Sequence, residues 1–142
     1  MYLDTSILVK LFIREPDSEF YGTLADGEEV SSSVLACSEF CSALLTKERL
    51  NAITPSQRLR AWAAFERQVA YQAIQLHPLG LPVLKRARRI LETCHPDIAL
   101  RSLDALHLAA CDQAQDWPLV TGDRRMREAA AILNFPLAPM PA

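Results

Sequence analysis

Short apolar runs alternate with amphipathic stretches along this chain. Residues 1–4 form a very short run closed by Asp4-Thr5-Ser6, which predicts a strand. Residues 6–13 are largely apolar, interrupted by Lys10, and predict a helix that Thr5 or Ser6 can cap. Glu15-Pro16-Asp17 breaks it, and residues 16–25 predict a second short helix closed by Asp26-Gly27. Residues 29–33 suit a strand. Residues 34–50 carry apolar side chains on more than one face and predict a long, well-buried helix. Thr54-Pro55-Ser56-Gln57 is a helix start: Thr54 caps, Pro55 takes the first helical position and Gln57 completes a capping box. Leu59, Trp62, Phe65 and Val69 follow at helical spacing. Further on, residues 73–76 predict a strand and residues 82–94 a helix whose apolar stripe is Leu84, Ala87 and Leu91. Residues 102–113 predict another helix, 119–121 a buried strand, 124–133 a helix and 135–138 a last strand. Residues 139–142 read as a loose tail.

Strands separated by amphipathic helices indicate parallel βαβ units, hence an α/β fold with helices on both faces of a parallel sheet, a three-layer α/β/α sandwich. In such sheets ligands bind beyond the carboxyl ends of the strands, where the strand order reverses. Candidate chemistry is therefore sought there.

At 142 residues, the chain is expected to be one domain, 1–142, able to bury roughly two-thirds of its unfolded surface. Half of the residues are hydrophobic, a composition that excludes disorder. No apolar run approaches the roughly 18 residues that span a bilayer. No basic and apolar leader precedes Asp4, so a cytoplasmic location is expected. Fifteen basic against 17 acidic side chains, a net charge of −2, give no electrostatic case for a nucleic-acid binder. The cysteines, Cys37, Cys41, Cys94 and Cys111, suit a reducing compartment rather than a disulfide framework. Cys37 with Cys41 and His107 with Cys111 have the i,i+4 spacing of half a zinc site, but no CxxC accompanies either pair. Small buried hydrophobes are the favoured reading for these cysteines.

The acids supply the chemistry. Asp4 ends the first strand, and Asp123 follows the strand at 119–121 after one glycine. Asp104 lies in the first turn of a helix, where the helix dipole favours a carboxylate. Glu39 lies inside an apolar helix, where a charge needs solvent or a cation. Singly, these read as caps, turns or solvated faces. Together, four acids from four elements can converge on one cleft. Clustered carboxylates repel one another unless a cation stands among them. Hard oxygen donors suit Mg2+ or Mn2+, which activate water and stabilise charge developing on a phosphodiester.

Met1-Tyr2-Leu3-Asp4-Thr5-Ser6, Ser38-Glu39-Phe40, the segment Ser102-Leu103-Asp104-Ala105-Leu106-His107-Leu108-Ala109, and Leu119-Val120-Thr121-Gly122-Asp123 resemble, in this order and at these separations, the four motifs of PIN-domain ribonucleases. The match is nearest to VapC-type toxins of toxin–antitoxin pairs and runs to about residue 133. The resemblance implies a five-stranded parallel sheet with an acidic metal pocket. It implies Asp4, Glu39, Asp104 and Asp123 as metal and catalytic carboxylates, with Ser6 and Thr121 as pocket hydroxyls. It also implies Mg2+ or Mn2+ as cofactor, RNA as substrate, a homodimer, and a cognate antitoxin as partner. Cys37 and Cys41 each lie two residues from Glu39, about 200° around a helix, so they are expected to face away from that pocket into the core.

Arg101 and Arg124 adjoin acidic motifs and are candidate phosphate contacts, ahead of Lys10, Arg14, Lys47 and Arg125. His107, three residues after Asp104, can point toward the pocket, although a packing histidine is favoured. Trp62 and Trp117 can stack bases but suit a core or interface better. Two other classes stay open. A phosphoacceptor signalling domain needs an acceptor aspartate after the third strand, where this chain has Gln75-Leu76-His77, and an acidic pair after the first, where Thr5-Ser6 follow a single Asp. A non-catalytic partner-binding module of the same fold is the other. Setting the four acids aside leaves 13 acids against 15 bases, a mildly basic remainder around a concentrated acidic pocket.

Overall fold

The computed structural model describes residues 1–142. Its elements run β1 (Tyr2–Leu3), α1 (Thr5–Phe12), α2 (Ser18–Ala25), β2 (Val30–Ser33), α3 (Ala36–Arg49), α4 (Pro55–Ala70), β3 (Ile74–His77), α5 (Leu81–Cys94), α6 (Ser102–Ala114), β4 (Leu119–Val120) and α7 (Arg124–Ile132). The strands form one sheet in the order β3-β2-β1-β4. Every pairing is parallel, with Tyr2 opposite both Ser31 and Leu119.

Successive residues of a strand point to opposite faces, and this divides the core in two. Tyr2 and Leu119 pack with Val83, Ile90, Leu108 and Met126, under α5, α6 and α7. Leu3 and Val120 pack with Ile7, Leu8, Phe40 and Phe65, under α1 to α4. The result is the expected α/β/α sandwich. Phe40 and Phe65 stack with ring centroids 4.4 Å apart, and Phe12 meets both edge-on. Trp62 leans on this group and Trp117 on Phe135, so both tryptophans pack rather than stand free.

The expected fifth strand is reduced to one parallel bridge, Leu119 to Leu137. Leu119 N–H donates to the Pro136 carbonyl and Ala138 N–H to the Leu119 carbonyl, each at 2.9 Å. Prolines 136, 139 and 141 remove the donors that would extend this ladder. Arg127 holds the segment in place instead, donating to the carbonyls of both Thr121 (3.0 Å) and Ala138 (3.1 Å).

Local readings fare unevenly. The Thr54 capping box forms in full, with both reciprocal bonds present. The cap of α1 is Asp4, not Thr5 or Ser6, because its carboxylate accepts from Ile7 N–H at 3.0 Å. Helix α3 buries one stripe only, Ala36, Phe40 and Leu44. Cys37 and Cys41 each lie one position, about 100°, past that stripe. Cys37 is therefore exposed and Cys41 half-buried, while the buried cysteines are Cys94 and Cys111. Helix α5 turns Val83, Ala87, Ile90 and Cys94 inward and leaves Leu84 outside, one residue off the expected stripe.

Asp116, just before β4, joins the sheet's central strands. It accepts from the Ser31 hydroxyl and from His77 Nε2 at 3.2 Å, and it pairs with the Met1 ammonium at 3.2 Å. Burial pushes its pKa up, but these three partners together outweigh burial and hold it below the ordinary 3.8. A carboxylate lowered on folding stabilises the protein above its unfolded pKa, and that contribution is lost as pH falls through the folded value. Asp116→Asn should therefore cost on the order of 1 kcal/mol at pH 7. Thermal unfolding at a series of pH values should show the gap to wild type closing below about pH 4. A gap unchanged down to pH 3 would contradict this account.

Candidate active site

The strand order places the reversal at β1, which has β2 on one side and β4 on the other. The crevice beyond the carboxyl ends of β1 and β4 is where such sheets bind ligands. Asp4 follows β1 directly and is 4% exposed. Both of its carboxylate oxygens are fixed. Oδ1 accepts from Ser6 Oγ at 2.7 Å and from Ile7 N–H, and Oδ2 accepts from Thr121 Oγ1 at 2.5 Å. Thr121, immediately after β4, also accepts from Asp123 N–H at 3.1 Å. One hydroxyl thus joins the first and fourth acidic positions. No lysine, arginine or histidine forms an ion pair with Asp4.

Glu39 enters from the first turn of α3. Its Oε1 accepts from Thr5 Oγ1 at 2.7 Å and meets His107 Nε2 at 2.5 Å. His107 is 3% exposed, and its Nδ1 lies 2.8 Å from the Tyr2 hydroxyl. The Tyr2 hydroxyl holds the Nδ1 side of the ring, which leaves Nε2 directed at Glu39. Burial raises the pKa of Glu39, but the His107 hydrogen bond and charge, the Thr5 hydroxyl and the Arg101 charge together hold it below the ordinary carboxylate value. Glu39 Oε2 has no protein hydrogen-bond partner.

Asp104, in the first turn of α6, is 8% exposed and accepts from Arg101 Nε at 3.0 Å. Asp123 caps α7 through Met126 N–H at 2.9 Å, and its Oδ2 lies 3.9 Å from Arg101 Nη2. Arg101 therefore lies between two of the acids. Nowhere do three His, Cys, Asp or Glu side chains stand close enough together to hold a metal ion as they lie. The donor chemistry nevertheless suits a hard cation: the carboxylates are anchored and ionisable, two are more than nine-tenths buried, and Asp4 has no cationic partner.

The family profile of the PIN domain matches residues 1–132. The chain belongs to the PIN domain family. Among curated relatives of this PIN domain, Ribonuclease VapC46 of Mycobacterium tuberculosis (strain ATCC 25618 / H37Rv) is 33% identical over 140 residues, covering 95% of this chain and 93% of that protein. Ribonuclease VapC47 of the CDC 1551 / Oshkosh strain is 31% identical over 142 residues at the same coverage. The fold is shared with a toxin–antitoxin complex from Klebsiella pneumoniae: TM-score 0.55, 16% identity, 86% of this chain and 85% of that one.

In this PIN domain the acids from four separate elements come to one end of the sheet, and Ser6 and Thr121 both bond Asp4. Arg101 reaches the acids as well. Arg124 does not: it pairs with Glu128 at 2.8 Å on its own helix. Lys10 and Lys47 are likewise taken up by Asp17 and Glu15. The Tyr2 hydroxyl and Thr5 Oγ1 also belong to this network, and His107, expected to pack, bonds Glu39. The i,i+3 spacing from Asp104 was the signal for His107. Nothing in the sequence shows that Glu39 is its partner, because α3 and α6 approach one another only in the fold.

Proposed function

We propose that this PIN domain is a metal-dependent endoribonuclease that hydrolyses RNA phosphodiester bonds, and that it is the toxin of a toxin–antitoxin pair. The observation that carries the reading is Asp4, a buried carboxylate without a cationic partner at the carboxyl end of β1, joined through Thr121 to Asp123. The ribonuclease relatives supply the substrate class. Asp4 and Asp104 are the main metal ligands, with Glu39 and Asp123 for a second ion or for the attacking water. A bound Mg2+ or Mn2+ would supply charge stabilisation at the phosphate and a lowered pKa for water.

The chain's own residues do the rest. Ser6, Thr121 and the α1 N-terminus hold both Asp4 oxygens in one orientation. His107 and Thr5 fix Glu39 Oε1 and keep the group ionised, so Oε2 is the atom that accepts the proton of an attacking water. Tyr2 orients the His107 ring from inside the core. A phosphoacceptor reading fares worse, because β3 ends in His77, which is engaged with Asp116.

A cognate antitoxin and a second copy of the chain are the partners that go with this reading, and the cytoplasm is its location. No helix is long and apolar enough to cross a membrane. Incubating the purified protein with RNA should give cleavage with Mg2+ or Mn2+ and none after chelation. RNA left intact at every metal concentration would overturn the proposal.

A further inference from the structure

The geometry points to Arg101 as a built-in competitor of the divalent ion: its guanidinium engages Asp104 and Asp123 and must swing away before a cation can bind there. The inference rests on the metal-site reading proposed above.

Arg101 is the one lysine or arginine in ion-pair range of the four site acids. Nε binds Asp104 Oδ2 at 3.0 Å and Nη2 lies 3.9 Å from Asp123 Oδ2. Its charge also acts on Glu39. A single guanidinium thus bonds an acid of α6, lies within ion-pair range of the cap of α7 and acts more weakly on Glu39 of α3. Both carboxylates are ones the metal-site reading assigns to a hard cation.

Its backbone position makes this choice of residue unfavourable by local rules. Arg101 is the N-cap of α6, and its side chain makes no capping hydrogen bond. Cap positions favour Ser, Thr, Asp or Asn, which can accept from the first-turn N–H groups. A cation there also opposes the helix dipole. Neither capping nor the dipole accounts for an arginine; the two carboxylates do.

The arginine is also the movable partner. Its side chain is 66% exposed, whereas that of Asp104 is 12% exposed and Asp123 is held by its cap bond. No hydrogen bond beyond the two acids restrains the guanidinium. When a divalent ion takes those oxygens, like charges repel, and the freed guanidinium becomes available to phosphate at the mouth of the site. Linkage is reciprocal, so whatever Arg101 costs the metal, the metal costs the arginine contact.

Calorimetric titration of Mn2+ into wild type, Arg101→Gln and Asp4→Asn tests this. Arg101→Gln should bind Mn2+ about tenfold more tightly than wild type. Its metal-free form should melt at lower temperature and gain more on adding Mn2+. Asp4→Asn should bind more weakly than both. Wild-type binding that Asp4→Asn weakens and Arg101→Gln leaves unchanged or weaker would overturn the competitor and leave the metal site standing. No Mn2+ binding by any of the three would overturn both. Circular dichroism of each variant checks the fold independently.

Discussion

Asp4→Asn is expected to lower RNA cleavage by at least roughly a thousandfold, in a protein that still folds. The substitution is nearly isosteric and keeps one carbonyl oxygen for Ile7 N–H, so α1 keeps its cap. What it removes is the negative charge of the most enclosed acid in the site. It also places an amide where Thr121 now donates to a carboxylate oxygen. Losing that charge-assisted bond should cost about 1.5–3 kcal/mol. Far-ultraviolet circular dichroism should stay native while mapped RNA ends disappear. Cleavage retained at a tenth of wild type or more would mean Asp4 holds structure, not chemistry.

The second large effect is on stability. Phe40→Ala should destabilise the protein by about 3–5 kcal/mol, out of a total of roughly 5–15. Phe40 has no exposed surface, stacks on Phe65 and receives Phe12 edge-on. Three helices meet at that ring, so the cavity cannot collapse by moving one side chain. The melting temperature should fall by about 10 °C or more. Activity should fall too, measured below the transition, because Phe40 adjoins Glu39 on α3. A drop in melting temperature of less than about 3 °C would mean the aromatic cluster repacks.

These two residues mark what was legible in the chain. Asp4 sits in a recognisable pattern, a carboxylate at a strand end, and Phe40 lies in a helix whose apolar content predicts burial, although its single stripe shows only in the fold. The alternation of runs and stripes likewise conveyed the layer architecture and the parallel sheet. Three features were not legible, each for a reason. Glu39 and His107 are 68 residues apart, on helices that pack against opposite faces of the sheet, and they meet only in the fold. The terminal strand failed because prolines at 136, 139 and 141 read as apolar or neutral in a hydropathy pattern, yet they delete ladder donors. Cys37 and Cys41, expected in the core, are exposed and half-buried. The spacing from Glu39 fixes one direction around α3, whereas burial is set by the neighbouring stripe of Ala36, Phe40 and Leu44.

The bond from Thr121 to Asp4 closes a loop of 117 residues. Contacts of that separation are slow to form and must wait for the chain between them. During synthesis on a ribosome, Asp4 emerges early with the local partners of Oδ1, but its Oδ2 stays unfixed until β4 and the residue after it have cleared the tunnel. Met1, Tyr2 and Asp4 all take backbone or charge partners from residues 116–120. A nascent chain ending before β4 therefore carries three of the four acids without the scaffold that aligns the first of them. An RNA-cutting enzyme made on a machine built largely of RNA would thus stay inert until nearly the whole domain had been released.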